Sequence, residues 1–172
     1  MKLYLLRHAD AGEPLDPKFY DDTRRPLSPK GVKRTRQLAN AFRQMGISFD
    51  AIFTSQYVRA RQTAELVARS LKIEKRLRTT DHLLPGSEFE KILIEMERVC
   101  PAAKVVLLVG HEPFLSGLVS WLCTGGSMLS IQIKKGGLCR MEVEGSGSKR
   151  HATLEWLLTS RHFGSRRSVG PE

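Results

Sequence analysis

The chain has 172 residues and a formal net charge of +10, with 28 Lys and Arg against 18 Asp and Glu. This length fits one domain with its own core, and 41% hydrophobic and 27% charged residues are ordinary globular composition. No apolar run reaches the ~18 residues that a bilayer span needs, and the apolar opening is too short for a signal peptide, so neither a membrane nor a secreted protein is expected.

Residues 3–6 read as a short strand that ends in Arg7-His8. Residues 9–28 form a loop rich in Pro, Asp and Gly. Pro29 suits a helix start, and Val32, Leu38, Ala39, Phe42 and Met45 recur at helical spacing until Gly46. Residues 51–53 read as a buried strand. Ser55 is placed to cap a second helix with Val58, Ala60, Ala64, Val67 and Leu71 on its apolar face. Residues 76–80 make a short strand, and Phe89, Ile92, Leu93, Met96 and Val99 mark a third helix. The continuous apolar run 105–109 fits a strand covered on both faces. Pro113 suits the first position of a fourth helix through Leu118, Val119 and Leu122. Residues 128–133, 138–143 and 151–158 read as strands, joined at Gly136-Gly137 and Gly145-Ser146-Gly147. Residues 161–172 are basic and aperiodic, so a flexible C-terminal tail is expected behind a single domain over residues 1–160.

Strands alternating with helices imply a three-layer α/β/α fold, with a mainly parallel central sheet plus late antiparallel strands. In such sheets ligands bind at the carboxyl ends of the strands. Arg7 and His8 follow the first strand, Ser55 and Arg59 the second, and His111 the fourth. Two imidazoles and two guanidiniums without clustered carboxylates describe an anion site. Arginine presents a rigid fork of donors to phosphate oxygens, and helix N-termini add positive potential. A neutral imidazole can attack phosphorus, and the cations would neutralise the transferring group, so no metal or cofactor is expected.

Four blocks carry a resemblance: Leu5-Leu6-Arg7-His8-Ala9; Arg25-Pro26-Leu27-Ser28-Pro29-Lys30-Gly31; Ser55-Gln56-Tyr57-Val58-Arg59-Ala60-Arg61-Gln62-Thr63-Ala64; and Val109-Gly110-His111-Glu112-Pro113. In this order they resemble the histidine phosphatase (phosphoglycerate-mutase-like) superfamily, and most of all its short bacterial branch, the SixA-type phosphohistidine phosphatases. The resemblance implies that His8 is the nucleophile that becomes phosphorylated, and that Arg7, Arg59 and His111 bind phosphate. Arg25 is either a further phosphate or substrate contact or a loop-surface arginine. It also implies a phosphate-bearing substrate, either phosphohistidine on a protein or a small phosphomonoester.

The sequence departs from the family pattern at two points. Ala9 stands where the family has glycine after the nucleophile. An acid that protonates the leaving group in larger members has only Asp81 and Glu88 as candidates, and each also reads as a loop or helix-start charge.

The charge is uneven. Residues 24–44 hold seven Lys or Arg and no acid, and residues 59–78 hold seven basic against two acidic residues. Such faces attract phosphorylated substrates, acidic proteins or nucleic acid, although a solvated helix face gives the same pattern. No basic stretch interleaved with aromatics supports nucleic acid. Cys100, Cys123 and Cys139 are an odd number without zinc-ligand spacing, which points to a reducing, cytoplasmic setting.

Overall fold

Alternation within the first strand sets the layers. In β1 (Lys2–Arg7), Leu3 and Leu5 enter one apolar cluster and Tyr4 and Leu6 the other, and all four are buried. Successive strand residues face opposite sides, so a run apolar at every position needs cover on both. The computed structural model, which describes residues 1–13, 21–147 and 150–163, supplies that cover. In chain order the remaining elements are α1 (Pro29–Gln44), β2 (Ala51–Ser55), α2 (Val58–Leu71), β3 (Leu77–Thr80), α3 (Phe89–Val99), β4 (Val105–Gly110), α4 (Phe114–Thr124), β5 (Leu138–Glu144) and β6 (His151–Leu158).

The sheet order is β3-β2-β4-β1-β5-β6. β1 and β2 both pair parallel with β4, and β3 pairs parallel with β2. β5 lies antiparallel on β1, and β6 antiparallel on β5. Buried residues of α1 and α2, such as Phe42 and Val67, share a cluster with Tyr4, Ile52 and Leu107. Ile92 of α3 and Leu118 of α4 share the other with Leu3, Phe53 and Leu108. This is the three-layer α/β/α arrangement expected from the sequence. Among the described residues no helix is long and apolar enough to cross a membrane.

Three local expectations need correction. Residues 128–133 are not a strand. Leu129, Ile131 and Ile133 do alternate toward the core, but the backbone bonds elsewhere: Leu129 N donates to Ser120 Oγ, and Ile133 N to a carboxylate oxygen of Glu112. Alternation reports burial, and a ladder needs a partner strand as well. Ser55 does not cap α2. It ends β2, and Tyr57 occupies the cap position without a side-chain bond. Pro113 is the cap residue of α4 rather than its first helical residue. At the C-terminal end, residues 160–163 form a 3-10 turn with Phe163 against the α1–α2 side of the core. The rest of the expected tail, residues 164–172, lies outside the described residues.

The start of α1 is locked to the loop after β1. Ser28 caps the helix, its Oγ accepting from Gly31 N at 3.0 Å and donating to the Asp10 carboxylate at 2.6 Å. Gly31 packs directly on that loop, and a Cβ there would sit 2.0 Å from the Asp10 carbonyl oxygen. Backbone cannot yield as a side-chain tip can. Gly31→Ala is therefore expected to destabilise the fold by about 1–3 kcal/mol, the usual range for overpacking, read as a lower denaturation midpoint. An unchanged midpoint would show that the loop shifts freely.

Candidate active site

The carboxyl ends of β1, β2 and β4 lie side by side because β4 pairs with both neighbours. From β1 come Arg7 and His8. His8 N donates to Gly110 O at 3.0 Å, which ties this corner to the end of β4. The ring Nδ1 lies 2.8 Å from the Ala9 carbonyl oxygen. A carbonyl only accepts, so Nδ1 carries the hydrogen and Nε2 keeps its lone pair. Ala9 serves as well as glycine here. Lys72 is the non-glycine residue with positive φ among those described, and Ala9 has an ordinary backbone with its amide on Thr63 Oγ1 at 3.1 Å.

Arg59, in the first turn of α2, points its Nε at His8 Nε2 across 3.3 Å. Its Nη1 donates to the Asp22 carbonyl at 2.7 Å and lies 3.1 Å from the Asp22 carboxylate. The other oxygen of that carboxylate accepts from Arg25 Nε at 2.7 Å. Arg25 Nη1 donates to the carbonyls of Ala11 and Gly12 at 2.7 and 3.0 Å. His111, from the end of β4, has its ring centroid 5.1 Å from that of His8, and its Nε2 is 2.9 Å from Ser55 Oγ. Tyr57 stands against His111, ring centroids 4.9 Å apart, and the Arg59 guanidinium carbon lies over the Tyr57 ring, 5.1 Å from its centroid. Arg7 Nη1 donates to the Ile133 carbonyl at 3.0 Å.

Two buried polar atoms of this group, Arg7 Nε and His111 Nδ1, have no hydrogen-bond partner. A buried donor left unmatched costs ~1–3 kcal/mol; a phosphate oxygen would match Arg7 Nε, and His111 Nδ1 in the tautomer in which that nitrogen carries the hydrogen. Among the described residues no three His, Cys, Asp or Glu side chains gather in a way that could hold a metal ion.

Burial controls the charge of both imidazoles. It pushes His8 down from 6.5 to about 3; the nearby His111, Arg59 and Arg7 act in the same direction, and the Ala9 carbonyl opposes them. His111 is likewise pushed down to about 3, by burial and then by Arg59 and Arg7, against Asp22. Burial also lowers the two arginines, which nevertheless keep their charge. Asp22 is held below the usual carboxylate range, chiefly by its bond from Arg25. At neutral pH the site thus has two neutral imidazoles, charged guanidiniums and an ionised Asp22.

These shifts make an acid-stability prediction. Between about pH 6.5 and 3 the unfolded chain protonates His8 and His111 while the folded chain does not. Their contribution is complete above the unfolded value and is lost as pH falls toward the folded one. Each group changes stability by up to ~1.4 kcal/mol per pH unit. The melting temperature is expected to fall through this window, and less steeply in a His8→Asn/His111→Asn double variant. Parallel curves for parent and variant would refute it.

Of the residues proposed from sequence, the structure brings His8, Arg59 and His111 together, with Arg7 close enough for its charge to act on both imidazoles. Arg25 is buried behind Asp22 and braces the loop. Asp81 and Glu88 are exposed; Glu88 pairs with Lys91 at 2.8 Å, and no described bond links either acid to the site. The sequence reading passed over Asp22, Tyr57 and the Glu112 carboxylate. Tyr57 and Glu112 lay inside motif blocks already singled out, whereas Asp22 lies in an aperiodic loop where only the nearby arginines could have pointed to it.

Comparison with known proteins bears on the family and the fold. The model of the histidine phosphatase superfamily (branch 1) matches residues 3–83. An uncharacterized protein of Picosynechococcus sp. is 34% identical over 163 residues, 93% of this chain and 96% of that protein. The phosphohistidine phosphatase SixA of Escherichia coli is 27% identical over 126 residues, 73% of this chain and 76% of that protein. The structure of the protein histidine phosphatase SixA complexed with tungstate superposes with a TM-score of 0.80 at 23% identity, covering 94% of this chain and 99% of that one; at that identity the likeness speaks for the fold. With the family's motif order, its fold and two near-full or majority-length relatives in hand, the chain belongs to the histidine phosphatase superfamily and is a phosphatase of that family.

Proposed function

We propose that the chain is a SixA-type phosphatase that removes the phosphoryl group from phosphohistidine on a protein, through a covalent phosphohistidine on His8. The observation that carries this reading is the neutral His8 ring, held by Ala9 with Nε2 toward Arg59 and, among the described residues, no acid bonded to the site with a proton to donate.

Nε2 attacks phosphorus with its lone pair, and the P–N bond of the substrate breaks. The departing imidazole keeps the bonding pair and takes a proton from solvent. Arg7, Arg59 and His111 neutralise charge on the equatorial oxygens. Water then attacks the phosphorylated His8, releasing phosphate and restoring the free Nε2. An alkoxide would need a proton as it leaves, and a positioned acid typically supplies ~10²–10⁴-fold for that step. Asp22 is ionised by its arginines and has no proton to give at neutral pH. An imidazole leaving group needs far less help, which favours phosphohistidine over alkyl phosphates.

The test is kcat/KM on phosphohistidine, an aryl phosphate and a sugar phosphate. The expected order runs from phosphohistidine down to the sugar phosphate, with on the order of 10²-fold or more between the ends. Faster turnover of the sugar phosphate, abolished by Asp81→Asn or Glu88→Gln, would reveal a general acid and favour a small phosphomonoester substrate.

A further inference from the structure

Beside the phosphate site lies a second feature that the chemistry above does not use. A cleft of about 480 Å³ opens between the start of α1, the loop before β5 and the turn after β6. Its cations are Lys30, Arg34, Lys134, Lys135 and Arg161, and its one acid is Asp10. Asp10 lies 3.6 Å from Lys135 Nζ, which also donates to the Gly12 carbonyl at 3.3 Å. Arg34 donates to Gln37. Lys30, Lys134 and Arg161 are exposed, and their side chains make no hydrogen bond or ion pair among the described residues. Among the described residues, one cleft therefore collects five cations from three separate parts of the chain against a single, already paired carboxylate.

The cleft is continuous with the reacting corner. Ala9 lines it and also holds the His8 ring. Gly136, on the same wall, has a positive φ of 68° and donates its N–H to the carbonyls of Arg7 and His8 at 3.2 and 3.1 Å. A group that projects to His8 from a larger molecule brings its neighbours over these cations.

Resting on the reading of the substrate as a phosphohistidine protein, we propose that this cleft docks an acidic patch of that protein, with carboxylates flanking the phosphohistidine set against Lys30, Arg34, Lys134, Lys135 and Arg161. The form of the cleft favours spread carboxylates over one further phosphate. A single phosphate is held by fixed forks and backbone N–H groups, whereas here three Lys and two Arg approach on long flexible stems from well-separated positions. Nucleic acid fits less well, because among the described residues no aromatic side chain lines the cleft to stack on a base. Docking of this kind acts mainly on encounter, by about 10–10³-fold, and weakens with salt.

The test uses the intact chain and three synthetic substrates: a phosphohistidine peptide flanked by Glu, the same peptide flanked by Gln, and free phosphohistidine. At low salt the Glu peptide is expected to show kcat/KM at least about 10-fold above the Gln peptide, through KM, with the advantage shrinking as salt rises. In a Lys30→Glu/Lys134→Glu/Arg161→Glu variant that advantage disappears, while free phosphohistidine is hydrolysed as by the parent. Equal rates on the two peptides, or a preference that survives the charge reversal, overturns the proposal. So does tighter binding of a single-stranded oligonucleotide of matched charge, lost in the same variant. If no phosphohistidine compound is a better substrate than a sugar phosphate, the substrate reading fails instead. Binding of the unphosphorylated Glu peptide, with and without the reversal, then still decides the cleft: binding that the reversal removes supports it, and no binding overturns it.

Discussion

Replacing His8 with alanine is expected to lower turnover by on the order of 10⁴-fold or more, the scale on which an enzyme loses its nucleophile. The substitution removes Nε2, the atom that would carry the phosphoryl group between substrate and water. No group among its described neighbours can substitute. His111 Nε2 is engaged with Ser55 Oγ, and Ser55 has no base other than that same ring within bonding reach. The fold should survive, because His8 ends a strand whose core contacts come from Leu3 to Leu6. Removing one of two depressed imidazoles also lessens the acid sensitivity. Brief incubation of the parent with labelled substrate should trap acid-labile, base-stable phosphate on His8. Substantial turnover in folded His8→Ala protein, or label on Ser55, would sink the mechanism.

Arg59→Ala is expected to reduce kcat/KM by about 10²–10³-fold, as loss of a preorganised transition-state donor does. Arg59 is 7% exposed, so its charge acts on the site with little screening by water. It reaches His8 by Nε while the Asp22 backbone and carboxylate hold Nη1, so the guanidinium is aimed before substrate arrives. Lysine keeps the charge but cannot make both contacts from one plane, and Arg59→Lys should recover only part of the loss. The melting curve separates this from unfolding, since Asp22 retains Arg25 as a partner. A loss below 10-fold in either stable variant would place the phosphate elsewhere.

The layers and the motif residues were legible because they rest on short-range rules. The short apolar run of β1, the apolar run of β4 and the Pro29 start of α1 each need only their own neighbours to be read. That His8 and His111 meet also followed, since strands in a parallel sheet end at one edge. What was not legible depends on partners far away in the chain. Residues 128–133 alternate like a strand, yet their amide bonds go to Ser120 and Glu112. Ser55 stands where a cap belongs but faces His111, brought there by the pairing of β2 with β4. Asp22 matters because a loop folds back over α2, and no periodicity announces that.

Ile133 joins two of the site's corners by its backbone alone: its carbonyl takes Arg7 from the end of β1, and its N–H takes the carboxylate of Glu112 beyond β4. Three residues later Gly136 hooks onto the carbonyls of Arg7 and His8. The spacing from 133 to 136 is thus a ruler between fixed marks. An insertion ahead of it, near Met128, which is 87% exposed, could bulge into solvent and leave the marks where they are. A single residue added or removed within the ruler would detach one end, and Arg7 or His8 would drift. Tolerance to length change in this chain is therefore expected to switch from permissive to strict at Ile133, at a residue whose side chain takes no part in the chemistry.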